Sequence, residues 1–518
     1  MDVTQILMLI TILVYLAAMV GIGAVLAKQN QTTDDFYLGG RTLGPLVTAM
    51  SAEASDMSSW LLMGLPGVAY LSGTADAAWT AIGLAIGTYV NWLVVAKRLR
   101  NYTHVCGNST TLPLFFSNRY RDNKRILSVI AALLIIIFFV PYTASGFAAC
   151  GKLFANLFGM DYLPAMLISA IVIVAYTTLG GFLAASTTDF VQSIVMTIAI
   201  VVVFGFGISK VGSFSAVMDN AKSMAGYFSL THTHDVATGT ASPYSLLQIF
   251  STLAWGLGYF GMPHIIIRFG MPHVLLRFMA IGDANKLKLS RRVATVWVVI
   301  SMAVSVFIGV IGNAMTKAGV LPTLKDPETI ILVVADLISK HGVLATIIAG
   351  LILAGILAAT MSTADSQLLA ASSSASQNIL KEVFMKDMSE KTGMLIARIT
   401  VLVIALIGVF IARNPDSSVF QIVSFAWAGF GASFGPLVLL ALFWKRSTFQ
   451  GALCGMVSGG VMVFVWKFLI RPMGGALGIY ELLPAFLLGL AVNVIVSLLT
   501  PAPSREVQDE FDKVASMK

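Results

Sequence analysis

Two carboxylates and four serines share the stretch SAEASDMSSW at residues 51–60, inside an apolar run at 43–70. A charged side chain at membrane depth costs about 2.5–3.5 kcal/mol, so Glu53 and Asp56 should face a cavity or an ion. A loop between two short spans is the alternative, but its apolar flanks are too short to cross separately. We predict one helix broken mid-membrane, where backbone carbonyls bind a cation and Asp56 takes part. The direction in which Glu53 points is left open.

A second oxygen-rich stretch, ILAATMSTADSQLLAASSSAS at 356–376, places Ser362, Ser366 and Ser373 on one helical face. Small residues also let helices pack closely, which is the alternative for the later serines. Thr363 borders this face, and Asp365 lies beside it. Hydroxyls and carbonyls are ligands that suit a hard cation such as Na⁺.

Aromatic residues mark the segment STLAWGLGYFGMPH at 251–264. Trp255 and Tyr259 share a helical face, and Pro263 removes a helical hydrogen bond. The segment predicts a binding pocket in an interrupted helix, with an interfacial aromatic anchor as the alternative. It follows the first broken helix by five spans, and interruptions at corresponding places in two halves are typical of a transporter's midplane site.

The segment TTLGGFLAASTTDFVQS at 177–193 combines Gly180 and Gly181 with Asp189. The glycines permit a tight turn or close packing. Asp189 enters the next span, and a capping or loop role is its alternative.

A direct repeat follows the aromatic segment: GMPHIIIRF at 261–269 and GMPHVLLRF at 270–278. Nine residues turn a helix through about 900°, so we expect one copy to bulge or to lie outside the membrane. A neutral insertion at a cytoplasmic helix end explains this best; a proton relay through His264 and His273 is an alternative.

The amino-acid composition indicates the class of fold that must position these residues. Of the 518 residues, 57% are hydrophobic and 11% are charged, against about 25% charged in an average soluble domain. This excludes a soluble enzyme with one core and a disordered chain. We predict an all-α polytopic membrane protein with thirteen spans. The predicted spans are 7–27, 43–70, 77–96, 126–155, 162–179, 187–208, 244–267, 291–316, 341–374, 396–412, 418–443, 450–470 and 481–500.

The net charge of +8 follows the positive-inside rule, because most Lys and Arg lie in loops after odd-numbered spans. The N-terminus is therefore expected outside, the tail 501–518 is expected in the cytoplasm, and no nucleic-acid partner is implied. The first apolar run is too long for a signal peptide, so we expect a retained span. The three cysteines lack zinc or disulfide spacing. No P-loop, HExxH or Ser-His-Asp pattern indicates an enzyme, and no cofactor or protein partner is implied.

Longer strings carry a resemblance to a known family. They are FYLGGRTLGPLVTAMSAEASDMSSWLLMGLPG, VPYTASGFAACGKLF, GGFLAASTTDFVQS, LAWGLGYFG with PHIIIRF, and WAGFGASFGP. In this order, along nearly the whole chain, they resemble the sodium/solute symporter family and are most similar to its bacterial sodium/proline symporter branch.

The resemblance implies a leucine-transporter-type fold, in which five spans are inverted against five. A single transporter domain would fill 1–500, with repeats at 42–208 and 244–444. The span 7–27 precedes them, and two extra spans lie within 450–500. A multi-pass protein of a bacterial inner membrane is implied.

The resemblance also implies site residues at the matching positions. Na⁺ would be bound by three backbone carbonyls and two hydroxyls: Ala54, Met57, Ala359, Ser362 and Thr363. L-proline would lie near Ser58, Tyr142, Trp255, Tyr259 and Pro263. Asp56 would couple the ion to transport, as would Arg41 and Asp189 on the cytoplasmic path.

Three features depart from the family pattern. Glu53 stands where a small residue, usually Gly, is expected, and Met262 replaces Gln in a GQPH motif. The repeat at 261–278 is foreign to the pattern. Glu53 would add a negative charge beside the ion site and change cation binding.

Together, residues and resemblance predict Na⁺-coupled import of L-proline across the lipid bilayer by alternating access, with Na⁺ as the co-transported ion. The alternative is a Na⁺-coupled symporter of another small solute, such as another amino acid, a sugar or a vitamin. A channel would instead conduct without coupling, and a membrane sensor would need a fused signalling domain.

Overall fold

The computed structural model describes residues 2–28, 32–254, 271–385, 387–414 and 418–517. Ten helices within them are long and apolar enough to cross a membrane, and shorter apolar helices lie at Trp60–Ser72 and Tyr162–Ala175. The prediction of an all-α polytopic protein is confirmed. The count of thirteen spans stays a prediction, because the seventh run extends beyond the described residues.

The helices of the first half follow the apolar runs and the loops between them. In chain order they are α1 (Val3–Ala27), α2 (Thr33–Leu38), α3 (Pro45–Asp56), α4 (Leu65–Ser72), α5 (Thr74–Val90), α6 (Ala96–Val105), α7 (Leu112–Arg119), α8 (Ile126–Phe158), α9 (Tyr162–Val211) and α10 (Phe214–Ser223).

A small antiparallel pair of strands, β1 (His232–His234) and β2 (Ala241–Pro243), separates the two halves. The helices of the second half are α11 (Leu246–Leu253), α12 (Pro272–Ala280), α13 (Leu287–Lys317), α14 (Ile330–Ser339), α15 (Val343–Ser373), α16 (Glu390–Ile411), α17 (Val419–Phe443), α18 (Phe449–Val465), α19 (Leu482–Leu499) and α20 (Arg505–Ser516).

The predicted broken helix is confirmed. α3 ends at Asp56, and Met57 leaves helical geometry with φ −83° and ψ 71°. The chain resumes as a π-helical turn, Trp60–Gly64, which leads into α4. In the break the Ser58 amide donates to Asp56 O at 3.1 Å. In an uninterrupted helix it would donate to Ala54 O, so the break releases that carbonyl.

α9 joins two predicted spans, 162–179 and 187–208, across one kink. Gly181 has φ 61° and ψ −172°, a backbone region that is essentially restricted to glycine. Of the two roles expected for the glycine pair, a tight turn or close packing, the structure shows the turn, as a kink at Gly181.

The core lies around α15 and α17. The apolar window of α17 is 94% buried and that of α15 is 67% buried, against 28% for α1 and α16. α15 packs against α3, α8 and α9. At Gly355 a Cβ would lie 2.7 Å from Ala199 Cβ of α9, so these two helices approach too closely for a side chain there.

The tail, expected as a short cytoplasmic extension, forms the amphipathic helix α20. Val507, Phe511 and Val514 are buried on one face. Arg121 pairs with Glu510 at 2.5 Å and with Glu506 at 2.9 Å. α20 therefore docks on the loop that precedes α8.

Candidate cation and solute site

The carbonyl released by the α3 break meets a hydroxyl of α15. Ser362 Oγ donates to Ala54 O at 2.8 Å and lies 3.3 Å from Ala359 O of its own helix. All three residues are fully buried. Three of the five predicted Na⁺ ligands, drawn from two helices, are therefore in direct contact.

The other two predicted ligands adjoin this contact. Thr363 follows Ser362, is buried, and its Oγ1 has no hydrogen-bond partner among the described residues. Met57 is buried at the centre of the break. A buried hydroxyl without a partner costs free energy, which a cation at this position would offset.

Aromatic side chains surround the far side of the break. Tyr142 OH donates to Asp56 O at 3.2 Å and to Ser58 Oγ at 3.5 Å. Trp427 Nε1 donates to Tyr142 OH at 3.3 Å. Trp60 lies edge-on to Trp427 with ring centroids 6.0 Å apart, and its Nε1 donates to Asp56 O at 3.1 Å. The predicted solute residues Ser58 and Tyr142 thus meet at one polar point within an aromatic wall.

The remaining predicted solute residues, Trp255, Tyr259 and Pro263, lie outside the described residues, as do Met262 and the first repeat copy. The second copy forms α12, whose residues are buried against α3. Which copy bulges or leaves the membrane stays a prediction.

α12 brings a histidine to the break. His273 Nε2 lies 3.8 Å from Asp56 Oδ1, and both side chains are fully buried. The His273 ring packs edge-on against Phe139 with centroids 5.4 Å apart. Asp56 of α3 therefore lies close to α12, which belongs to the second half of the chain.

One turn along α12, Arg277 joins four helices. Its Nη2 lies 3.1 Å from Asp189 Oδ2 of α9 and 2.5 Å from Ser366 Oγ of α15. Its Nε donates to Ser51 Oγ of α3 at 3.0 Å, and Ser51 Oγ donates to Asp189 Oδ2 at 2.6 Å. Asp189 thus belongs to a buried ion pair rather than to the α3 break.

This ion pair lies about one turn from the candidate Na⁺ ligands. Ser51 precedes Ala54 by three positions on α3, and Ser366 follows Ser362 by four on α15. Arg277 therefore cross-links the two helices that carry the candidate ligands.

Arg41 lies apart from these groups. It has a positive φ of 58°, and its guanidinium donates to Met279 O at 2.7 Å and to Ser109 O at 2.8 Å. It ties the segment before α3 to the end of α12 and to the α6–α7 loop. An effect of Arg41 on transport would act through these helix ends.

Three residues were missed by sequence reasoning. Trp427 and Trp60 lie in strings that carry the resemblance, and Arg277 lies in the repeat. All three residues therefore lie in segments that the sequence analysis singled out. No local spacing, however, indicates that Arg277 contacts Asp189, which is 88 positions away.

Comparisons with known proteins agree with this geometry. The model of the sodium:solute symporter family matches residues 36–459. The osmoregulated proline transporter OpuE of Bacillus subtilis (strain 168) is 40% identical over 498 residues, covering 96% of each chain. The sodium/proline symporter of Escherichia coli (strain K12) is 40% identical over 509 residues, covering 97% of this chain and 95% of that protein.

Solved structures agree on the fold. A Na⁺-coupled sialic acid symporter in a substrate-bound outward-open state matches with a TM-score of 0.76 and 18% identity, covering 96% of this chain and 99% of that chain. Mhp1, a nucleobase-cation-symport-1 family transporter in a closed conformation, matches with a TM-score of 0.51 and 13% identity, covering 92% and 98%. The fold is of the leucine-transporter type. The chain is a multi-pass membrane protein and belongs to the sodium:solute symporter family.

Proposed function

We propose that this protein imports L-proline together with Na⁺ by alternating access, as a carrier and not as an enzyme. The observation that carries the proposal is the 2.8 Å contact of Ser362 Oγ with the Ala54 carbonyl at the α3 break. Relatives named for proline transport, 40% identical over nearly the whole chain, support the substrate. The bacterial relatives support a bacterial inner membrane, and the charge distribution supports an N-terminus outside and a tail in the cytoplasm.

The proposed Na⁺ ligands are the carbonyls of Ala54, Met57 and Ala359 with the hydroxyls of Ser362 and Thr363. Five oxygens from α3 and α15 suit a hard cation. Bound Na⁺ would hold the two helices together and shape the solute pocket. Because linkage is reciprocal, bound solute would raise the affinity for Na⁺ by the same factor.

The proposed solute pocket lies on the other side of the break, at Ser58 and Tyr142. The carboxylate of L-proline can meet amide groups at unwound helix ends. Its apolar ring can pack against aromatic faces, which Trp60 and Trp427 supply. Trp255, Tyr259 and Pro263 would complete the pocket, and Asp56, Arg41 and Asp189 would couple ion binding to the conformational change.

We further infer a single transporter domain over 1–500, with inverted repeats at 42–208 and 244–444. The break in α3 supports a functional midplane in the first repeat. His273 and Arg277 of α12 bring the second repeat to that point.

The driving force is sufficient for import. One charge crossing about 100 mV supplies roughly 2.3 kcal/mol, and a tenfold Na⁺ gradient adds about 1.4 kcal/mol. At one-to-one coupling this allows roughly 500-fold accumulation of the solute.

Competition for labelled L-proline uptake tests the substrate. Proteoliposomes with an inward Na⁺ gradient receive an excess of unlabelled proline, other amino acids, sugars or vitamins. We expect unlabelled proline to compete best. A stronger competitor would contradict proline and favour the alternative, a symporter of another small solute.

The Tyr142→Phe variant tests the pocket. Loss of the hydroxyl removes the contacts with Asp56 O and Trp427, so the KM for proline should rise about tenfold. Tyr162→Phe is the matched control, because the Tyr162 hydroxyl donates to Ala412 O at 2.6 Å, away from the break. Equal effects in both variants would contradict the pocket.

A further inference from the structure

Glu53 is a buried carboxylate that the proposed mechanism does not use. Its Oε1 accepts a hydrogen bond from Trp92 Nε1 at 2.8 Å. Its Oε2 has no partner among the described residues, and Glu53 forms no ion pair within them. Arg277, the buried cation of α12, is held by Asp189 instead. An uncompensated buried charge is costly, so the ionised form of this carboxyl group needs a cation beside it.

Two further unpartnered side chains lie beside Trp92. Thr88 Oγ1 and both amide atoms of Asn91 are fully buried and have no partner in the described part of the chain. Thr88 lies one turn before Trp92, and long helical side chains lean toward the N-terminus. The indole that reaches Glu53 therefore extends over the turn that carries Thr88. Thr88 and Asn91 lie three positions apart and share one helical face, and Glu53 of α3 reaches this segment through its hydrogen bond with Trp92.

We propose that Glu53, Thr88 and Asn91 bind a second Na⁺, so that this carrier moves two Na⁺ for each solute molecule. The site differs from the one at Ala54 and Ser362. Adjacent positions on a helix point about 100° apart: Ala54 meets α15, whereas Glu53 meets Trp92 beyond α5. The inference of coupled flux rests on the proposed function, but binding of the ion does not.

The donor set selects a monovalent cation. Divalent Ca²⁺ is usually held by several carboxylates, and no group of three or more His, Cys, Asp or Glu that could hold a metal occurs among the described residues. One carboxylate balances one charge of Na⁺, with neutral oxygens from Thr88 and Asn91 completing the ligand set.

Equilibrium binding of ²²Na⁺ to the purified full-length protein, without proline, counts the sites. We expect two Na⁺ per chain in the parent protein and one in Glu53→Gln, which keeps the shape and removes the charge. Thr88→Val should weaken the second site by about tenfold or more. One Na⁺ per chain in the parent, or two in a folded Glu53→Gln variant, would overturn the proposal.

Thr80→Val is the matched control. Thr80 also lies on α5, is fully buried, and has an unpartnered Oγ1 among the described residues. It precedes Thr88 by eight positions, about 12 Å along the helix. It should leave both Na⁺ sites unchanged. If Glu53→Gln fails to fold, Thr88→Val against Thr80→Val still decides, and equal Na⁺ affinity in these two variants would overturn the site.

Steady-state accumulation of proline then measures how many Na⁺ ions are transported with each proline molecule. At two Na⁺ per solute a tenfold change in the Na⁺ gradient changes accumulation about a hundredfold, and at one Na⁺ about tenfold. We expect the steeper dependence in the parent and the shallower one in Glu53→Gln. A parent with the shallower dependence would overturn the coupled second ion. Failure of the proposed function itself would appear differently, as two bound Na⁺ without any proline accumulation.

Discussion

At the scale of the residue, Ser362 is the side chain that joins the two helices of the proposed Na⁺ site. Its hydroxyl reaches a carbonyl that is available only because α3 is broken. The same oxygen would turn from donating to Ala54 O to coordinating Na⁺ without a backbone movement. Local geometry therefore favours cation binding at this point.

Ser362→Ala should raise the Na⁺ concentration for half-maximal proline uptake by about ten- to a hundredfold, because one hydroxyl ligand is lost. Ser373→Ala is the control. Among the described residues Ser373 Oγ donates to Ala370 O of its own helix alone, at 2.9 Å, so its removal should leave Na⁺ dependence unchanged. An unaltered Na⁺ dependence in Ser362→Ala would remove this residue from the site.

Residue types alone predicted part of this site. The contacts between residues that are distant in sequence could not be predicted in this way. Asp56 and Glu53 were found because charges at membrane depth are costly, and Ser362 because hydroxyls share a helical face. The partners of these groups, Trp92 for Glu53 and His273 for Asp56, are distant in sequence. No periodicity within one helix could have indicated them.

At the scale of the element, the kink at Gly181 joins the two helical segments of α9 without a loop. Gly181→Ala should lower the free energy of unfolding by about 1–3 kcal/mol, since a side chain is strained at its φ of 61°. The apparent Tm in detergent measures this. Gly205→Ala on the same helix is the control, because no described atom outside its own helical turns lies within 4 Å of its added Cβ. Equal losses would show that the backbone conformation of Gly181 is not the cause.

Docking of α20 places Glu510 beside Cys106, so we expect it to lower the reactivity of this thiol. Burial, and then the charge of Glu510, raise the pKa of the Cys106 thiol to about 12, and the thiol lies 3.7 Å from Glu510 Oε2. The thiolate is the reactive form, so maleimide labelling near neutral pH should be slow and should accelerate as the pH approaches the pKa. Glu510→Gln lowers the pKa and should speed labelling, by up to about tenfold for each pKa unit.

Glu506→Gln is the control for this experiment. Labelling is measured in a Cys454→Ser background, because Cys454 is exposed. Glu506 pairs with the same Arg121 at 2.9 Å but is largely exposed. It should leave the labelling rate unchanged. Fast labelling in the parent, or equal acceleration by both variants, would contradict the role of Glu510.

The helices were easier to predict from the sequence than the contacts between them. Apolar runs indicate spans directly, because a helix must cover the hydrocarbon layer, and the break in α3 follows from the polar residues that interrupt such a run. The docking of α20 depends on Phe511, which lies under Arg98 and Arg119. These two contacts join segments about 400 positions apart in the sequence, which no local pattern could predict.

At the scale of the whole molecule, two halves of the chain meet at one point near the α3 break. α3 contributes the released carbonyl, α15 the hydroxyls, and α12 the Arg277 that cross-links them. The family resemblance predicted the fold, because its motifs extend along nearly the whole chain. It could not predict how the repeat at 261–278 is accommodated, since an insertion changes helical register in a way that only packing resolves.

The most direct test of the account is labelled L-proline uptake into proteoliposomes under an inward Na⁺ gradient, compared with equal K⁺ and H⁺ gradients. Asp56→Asn is measured beside the parent, with its folding checked by monodispersity in detergent. We predict uptake with Na⁺ only, lost by at least about tenfold in Asp56→Asn, because the amide removes the charge that lies at the α3 break. Equal uptake under K⁺ or H⁺ gradients, or no proline uptake by folded protein, would contradict Na⁺-coupled proline import.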